Sequence, residues 1–184
     1  MIKYDPNKHH RRAIRLKEYD YAKTGAYFVT ICTWQRQGFL GEVVNGEMQL
    51  SRYGDIIQFY WHNLLNHHHH LELDEFVIMP NHLHGILVLK DDSACKKRHG
   101  LPEIIRGFKT FSARRLNKIR GTAGVSVWQR GYYEHIIRHE ESLMAIREYI
   151  VNNPLSWEND ELHLNNPNEW DGKIKNLVLQ MNRM

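Results

Sequence analysis

Two apolar runs, Phe76-Val-Ile-Met79 and His82-Leu-His-Gly-Ile-Leu-Val-Leu89, are broken by Pro80-Asn81, and they constrain this chain more than any other stretch. Val- and Ile-rich runs interrupted by Pro-Asn predict two strands joined by a tight turn. Side chains on a strand alternate between faces, so positions i and i+2 share one. His82 and His84 therefore project side by side while Leu83 points the other way. A strand that only fills a core has little use for two imidazoles. Two on one face can ligate one divalent metal.

The 184 residues suit one domain with appended arms, and 42% hydrophobic with 25% charged residues is ordinary for a globular protein. Two cysteines, Cys32 and Cys95, build no disulfide framework, so a reducing, cytoplasmic setting is expected. The opening Met-Ile-Lys-Tyr-Asp-Pro carries no apolar signal segment, and no run approaches the roughly 18 apolar residues of a membrane span. The formal charge is +4, unevenly placed. One basic block includes Arg11, Arg12 and Arg15; a second includes Arg106, Lys109, Arg114 and Arg115. Two basic blocks around a neutral middle suit a polyanion, foremost nucleic acid. A basic, solvated surface is the plainer alternative.

Residues 1–25 form a polar, basic N-terminal arm. Ala26 to Trp34 is aromatic and β-branched, a strand. Gly38 to Leu50, with Asn45-Gly46, predicts a small hairpin. Ile56, Ile57, Tyr60, Trp61 and Leu64 recur at helical spacing. The run His67 to His70 then caps and solvates a helix end. After the two strands flanking Pro80, residues 101 to about 118 form a helix with Pro102 in its first turn. Val125 to about Arg138 is strand-like, and Glu140 to Asn152 is a last helix ended by Pro154. Residues 26–154 thus make the folded domain and 155–184 a polar tail. Without the small hairpin and the last helix, the order is β-α-β-β-α-β. The fold class is α+β: a ferredoxin-like antiparallel sheet with helices packed on it.

Two histidines leave a divalent ion under-coordinated, and the last helix offers more. Tyr149 and Asn153 are four apart, so they share a helix face. A tyrosine hydroxyl can attack phosphorus while the amide oxygen beside it completes a metal shell. Each signal alone has a plainer explanation: fortuitous spacing, a packed tyrosine, a helix terminator. Tyr132 and Tyr133 are rival nucleophiles, in a stretch better suited to packing or base stacking.

The combination resembles a known family. Val77-Ile-Met-Pro-Asn-His-Leu-His-Gly85 is similar to the His-hydrophobic-His motif of single-tyrosine HUH transposases, and Tyr149-Ile-Val-Asn-Asn-Pro154 to their catalytic helix. Arg11–Lys17 with Gly25–Thr33, Ile104–Arg114 and Trp128–Arg138 narrow the resemblance to the REP-associated tyrosine transposases.

The resemblance implies cleavage and joining of hairpin-forming, palindromic single-stranded DNA through a 5′-phosphotyrosine. Tyr149 would be the nucleophile. His82, His84 and Asn153 would hold Mg²⁺ or Mn²⁺. Related insertion-sequence enzymes place glutamine where Asn153 falls, and asparagine is expected in the REP-associated branch. Phosphate contacts from Arg106, Lys109, Arg114 and Arg115 would position the hairpin, and Arg11, Arg12 and Arg15 would reach a neighbouring groove. Monomer and homodimer both fit. Two alternatives stay open: a non-catalytic hairpin-binding regulator, and a metal-dependent phosphoesterase using water.

Overall fold

The computed structural model describes residues 19–91, 98–160 and 162–163. Strand β1 (Gly25–Cys32) leads through a 3₁₀ turn, Trp34–Arg36, into the hairpin of β2 (Gly41–Val44) and β3 (Glu47–Leu50). Helix α1 (Arg52–His62) is capped by Ser51, whose hydroxyl accepts from the amides of Tyr53 and Gly54. A short α2 (Leu64–His67) precedes β4 (Leu71–Met79) and β5 (His82–Leu89). Then come α3 (Leu101–Arg120), β6 (Tyr133–Ile137), α4 (Glu140–Asn152) and a 3₁₀ segment, Pro154–Asn159.

The main sheet has the order β4-β5-β1-β6, antiparallel throughout. That is the strand order of a split β-α-β unit, so the ferredoxin-like expectation is met. The alternation of β1 and β5 divides the core in two. Val29, Ile31, Leu83 and Leu87 meet α1 and α3 through Ile57, Trp61, Ile104 and Phe108. Phe28 and Ile86 meet α4 through Ile146 and Ile150 on the other face. Gly85 makes the first face possible: a Cβ there would lie 2.5 Å from the Trp61 ring. Full burial of a side chain such as Ile150 stabilises by about 1.5–3 kcal/mol.

The strand expected from Val125 is shorter than the sequence suggests. Only Tyr133–Ile137 pairs as a strand, while Trp128 makes an isolated bridge to Thr33. Trp128 is buried and donates its indole N–H to Ser112 Oγ, and Gly131 turns the chain at φ +80°. Aromatic content there serves packing rather than pairing. In the histidine run His67 and His69 are exposed, whereas His70 is buried with its Nε2 2.9 Å from the His99 carbonyl. The run therefore enters the core as β4 begins. Among the described residues no helix is long and apolar enough to cross a membrane.

Candidate active site

His82 and His84 stand on β5 opposite Cys32 and Thr30 of β1 and opposite Met79 and Val77 of β4. Both are fully buried, on the face that α4 covers, and their rings lie 4.4 Å apart. Their neighbours in the turn and on β1 orient both rings. His82 Nδ1 lies 2.8 Å from Asn81 Oδ1, an oxygen that can only accept, so Nδ1 carries the proton. His84 Nδ1 lies 2.8 Å from Thr30 Oγ1. With Nδ1 donating, His82 Nε2 keeps a lone pair, and His84 Nε2 keeps one in the tautomer whose Nδ1 donates to Thr30. Burial pushes the His82 pKa down to about 3, with the Asn153 side chain acting the other way and Arg36 reinforcing the fall. His84 lies well below its ordinary value, through burial and the neighbouring His82. Both rings are neutral at pH 7, the form that ligates metals.

The turn before β5 is part of this wiring. The Asn81 carbonyl accepts from the Thr33 amide at 2.9 Å, and Asn81 Nδ2 donates to the Leu162 carbonyl at 2.6 Å. Asn81 thus locks His82 to β1 on one side and to the chain beyond α4 on the other.

Helix α4 lays Tyr149 over the pair. Its hydroxyl is 3.2 Å from His84 Nε2, and its ring meets Phe28 edge-on. Asn153, one turn on, is buried. Its Nδ2 donates to Asp160 Oδ2 at 3.2 Å, which leaves Oδ1 buried and without an aligned partner. The same holds for His82 Nε2. Asn153 lies near enough to influence His82, yet the two atoms complete no aligned hydrogen bond. Two buried lone-pair atoms facing one space fit a divalent cation better than a packed core. Asp160, in the stretch expected as a polar tail, joins them: its carboxylate and the two imidazoles offer ligand atoms all within 4.8 Å of one another.

The four residues expected in the catalytic centre, His82, His84, Tyr149 and Asn153, are brought together on one sheet face. The expected DNA-contacting cations are not beside them. Arg106, Arg114 and Arg115 are exposed on α3, which packs on the opposite face of the sheet. Lys109 is turned inward: its ammonium donates to the carbonyls of Gln129 and Gly131 at 2.6 and 2.7 Å, and burial lowers its pKa to about 8. Arg11, Arg12 and Arg15 lie outside the described residues. Asp160 was not legible in the sequence; its one signal is an acid a few residues beyond the helix-ending Pro154.

Known proteins bear on this geometry. The IS200-like transposase family matches residues 25–153, from the first residue of β1 to Asn153. An uncharacterised Haemophilus influenzae protein is 41% identical over 181 residues, covering 88% of this chain and 98% of its own. A second protein of that organism, named "Putative REP-associated tyrosine transposase", is 29% identical over 140 residues, covering 74% and 73% respectively. In fold, the chain is similar to a solved REP-associated tyrosine transposase bound to a REP hairpin, with a TM-score of 0.55 at 20% identity. That likeness covers 77% of this chain and 74% of the other. The matched span contains the histidine pair, the tyrosine and the asparagine that the fold assembles, and the chain belongs to the IS200-like transposase family.

Proposed function

We propose that this transposase is metal-dependent, of the REP-associated tyrosine type, and cleaves and rejoins hairpin-forming single-stranded DNA through a covalent 5′-phosphotyrosine. The observation that carries the proposal is the Tyr149 hydroxyl 3.2 Å from His84 Nε2, over a buried pair of neutral imidazoles. A phenol is a weak nucleophile while protonated, with an ordinary pKa of about 10, so its proton must be managed. His84 Nε2 has one lone pair, which accepts the Tyr149 proton or ligates an ion, not both. Ligation through Nε2 would therefore free the phenol from the imidazole.

His82, His84 and Asn153 are the groups to hold Mg²⁺ or Mn²⁺. A bound divalent ion would polarise a phosphoryl oxygen and offset the charge that builds as the phenol oxygen arrives. Tyr149 forms the O–P bond to the 5′-phosphate as its hydroxyl proton passes to solvent, and the P–O bond to the 3′-oxygen breaks as that oxygen takes a proton from solvent, so the step is proton-neutral. Attack on that linkage by another 3′-hydroxyl reverses the step and rejoins the strand without ATP. The exposed Arg106, Arg114 and Arg115 are assigned to the body of the hairpin rather than to the scissile phosphate, from which the sheet separates them, while Lys109 braces the adjoining loop through the Gln129 and Gly131 carbonyls. Such phosphate contacts set register and orientation and read no sequence. Arg11, Arg12 and Arg15 complete the proposed DNA-contacting set.

The test is a denaturing gel of a labelled palindromic hairpin incubated with protein and Mn²⁺. A protein-linked band is expected with the native chain and none with Tyr149→Phe. Free turnover with no linked band would instead support a phosphoesterase using water, and binding without cleavage a regulatory protein. An adduct that survives in Tyr149→Phe would overturn the nucleophile.

A further inference from the structure

We infer that Asp160 is the anionic ligand of this metal site, held there by Asn153, so that the segment beyond the catalytic helix closes the shell. The inference rests on the metal-dependent reading above and adds to it a residue seven positions past the end of the family match. The placement is specific. Pro154 stops α4, and the 3₁₀ segment folds back so that buried Trp157 lies over the His82 ring, 6.1 Å between centroids. The Asp160 amide donates to the Trp157 carbonyl at 3.0 Å. Its carboxylate accepts from the Leu162 amide at 2.6 Å through Oδ1 and from Asn153 Nδ2 at 3.2 Å through Oδ2. The Leu162 carbonyl in turn takes the Asn81 amide, and Asn81 holds the His82 tautomer. Asp160 and His82 are thus fixed by one connected set of hydrogen bonds.

A turn-capping aspartate needs only the Leu162 contact. It does not need a carboxylate within 4.8 Å of two buried imidazole nitrogens. An ionised carboxylate has about four lone-pair positions, so accepting N–H donors does not prevent it from ligating an ion as well. Two neutral imidazoles and an amide oxygen bring no charge, and a buried dication without a counter-charge is costly. One carboxylate offsets half of it and suits the hard ions Mg²⁺ and Mn²⁺. Asn153 takes both parts its amide allows: Nδ2 orients Asp160, and Oδ1 is left for the ion.

Calorimetric titration of the full chain with Mn²⁺, without DNA, tests this, with the electron paramagnetic resonance of bound Mn²⁺ as a second readout. His82→Ala should abolish binding. Asp160→Asn, nearly isosteric and still able to accept from the Leu162 amide, should weaken binding at least tenfold. Asp160→Cys should shift the Cd²⁺/Mn²⁺ preference at least tenfold toward Cd²⁺, because a thiolate is the softer ligand. A cap cannot produce that shift, and the cysteine variant also decides the matter if D160N fails to fold. Unchanged affinity in D160N and unchanged preference in D160C, with binding lost in H82A, would overturn the inference alone. Native protein that binds no Mn²⁺, or H82A that binds normally, would overturn the metal site itself.

Discussion

Thr30 Oγ1 lies 2.8 Å from His84 Nδ1, and this contact orients the ring so that Nε2 faces Tyr149. In the tautomer whose Nδ1 donates to Thr30, Nε2 keeps the lone pair that ligation needs. Groups that orient a metal-ligating histidine are commonly worth about 10–100-fold in affinity or activity. Thr30→Val keeps the shape and removes the acceptor, so a 10–100-fold slower Mn²⁺-dependent adduct formation is expected. Thr30→Ser should restore it, and hairpin affinity should stay within about twofold. Equal rates in the valine and serine variants would show that the tautomer does not matter. At this scale the sequence was legible where a local rule applies. The i, i+2 spacing put His82 and His84 on one face, and the i, i+4 spacing did the same for Tyr149 and Asn153. Thr30 and Asp160 obey no such rule. Thr30 reaches His84 through strand register across 54 residues, and Asp160 reaches the site through a chain reversal that no periodicity encodes.

The position of α4 depends on more than its apolar stripe. Arg147 donates through Nε and a terminal nitrogen to both carboxylate oxygens of Asp74, at 2.9 and 2.6 Å. The paired fork holds the helix to β4 where the strand's register shifts between Leu73 and Phe76. Hydrogen bonding from Arg147 keeps the Asp74 carboxyl below its ordinary value. Lysine retains the charge but cannot make the paired contact. Arg147→Lys should therefore tilt Tyr149 rather than unfold the chain. A misplacement of about 1 Å can cost roughly 100-fold in rate, so adduct formation should fall about tenfold or more while hairpin affinity is kept. An unchanged rate in single-turnover assays would mean that Ile146 and Ile150 alone place the helix. The order of elements was legible from periodicity and turn residues. The side of the sheet each helix takes was not, because an amphipathic stripe says that a helix packs and not on which face. The basic face of α3 accordingly emerges across the sheet from the histidines.

For the molecule as a whole, burial sets the response to acid. His68 and His135 are each held down to about 4 from an ordinary 6.5, mainly by burial, with His99 and Arg138 respectively adding to it. Between those values the unfolded chain takes up protons that the folded chain refuses, so stability falls as pH drops from 6.5 toward 4. The urea midpoint at pH 4.5 should lie clearly below that at pH 7, and coincident midpoints would contradict this burial. The completeness of the site within one chain makes a sharper claim. Tyr149 reaches His84 in its own polypeptide, and Arg147 ties the same helix to the same sheet. An inactive chain lacking His82 and another lacking Tyr149 then have nothing to exchange. Mixing His82→Ala with Tyr149→Phe protein should give no covalent adduct above the sum of the two alone, at any ratio and after prolonged incubation. Two copies that traded their last helices would instead build one site with both groups intact, and the linked band would return on mixing. The Arg147–Asp74 pair sets the sign of this prediction, because a helix bound to its own sheet by a paired fork must break that contact before it can serve a neighbour.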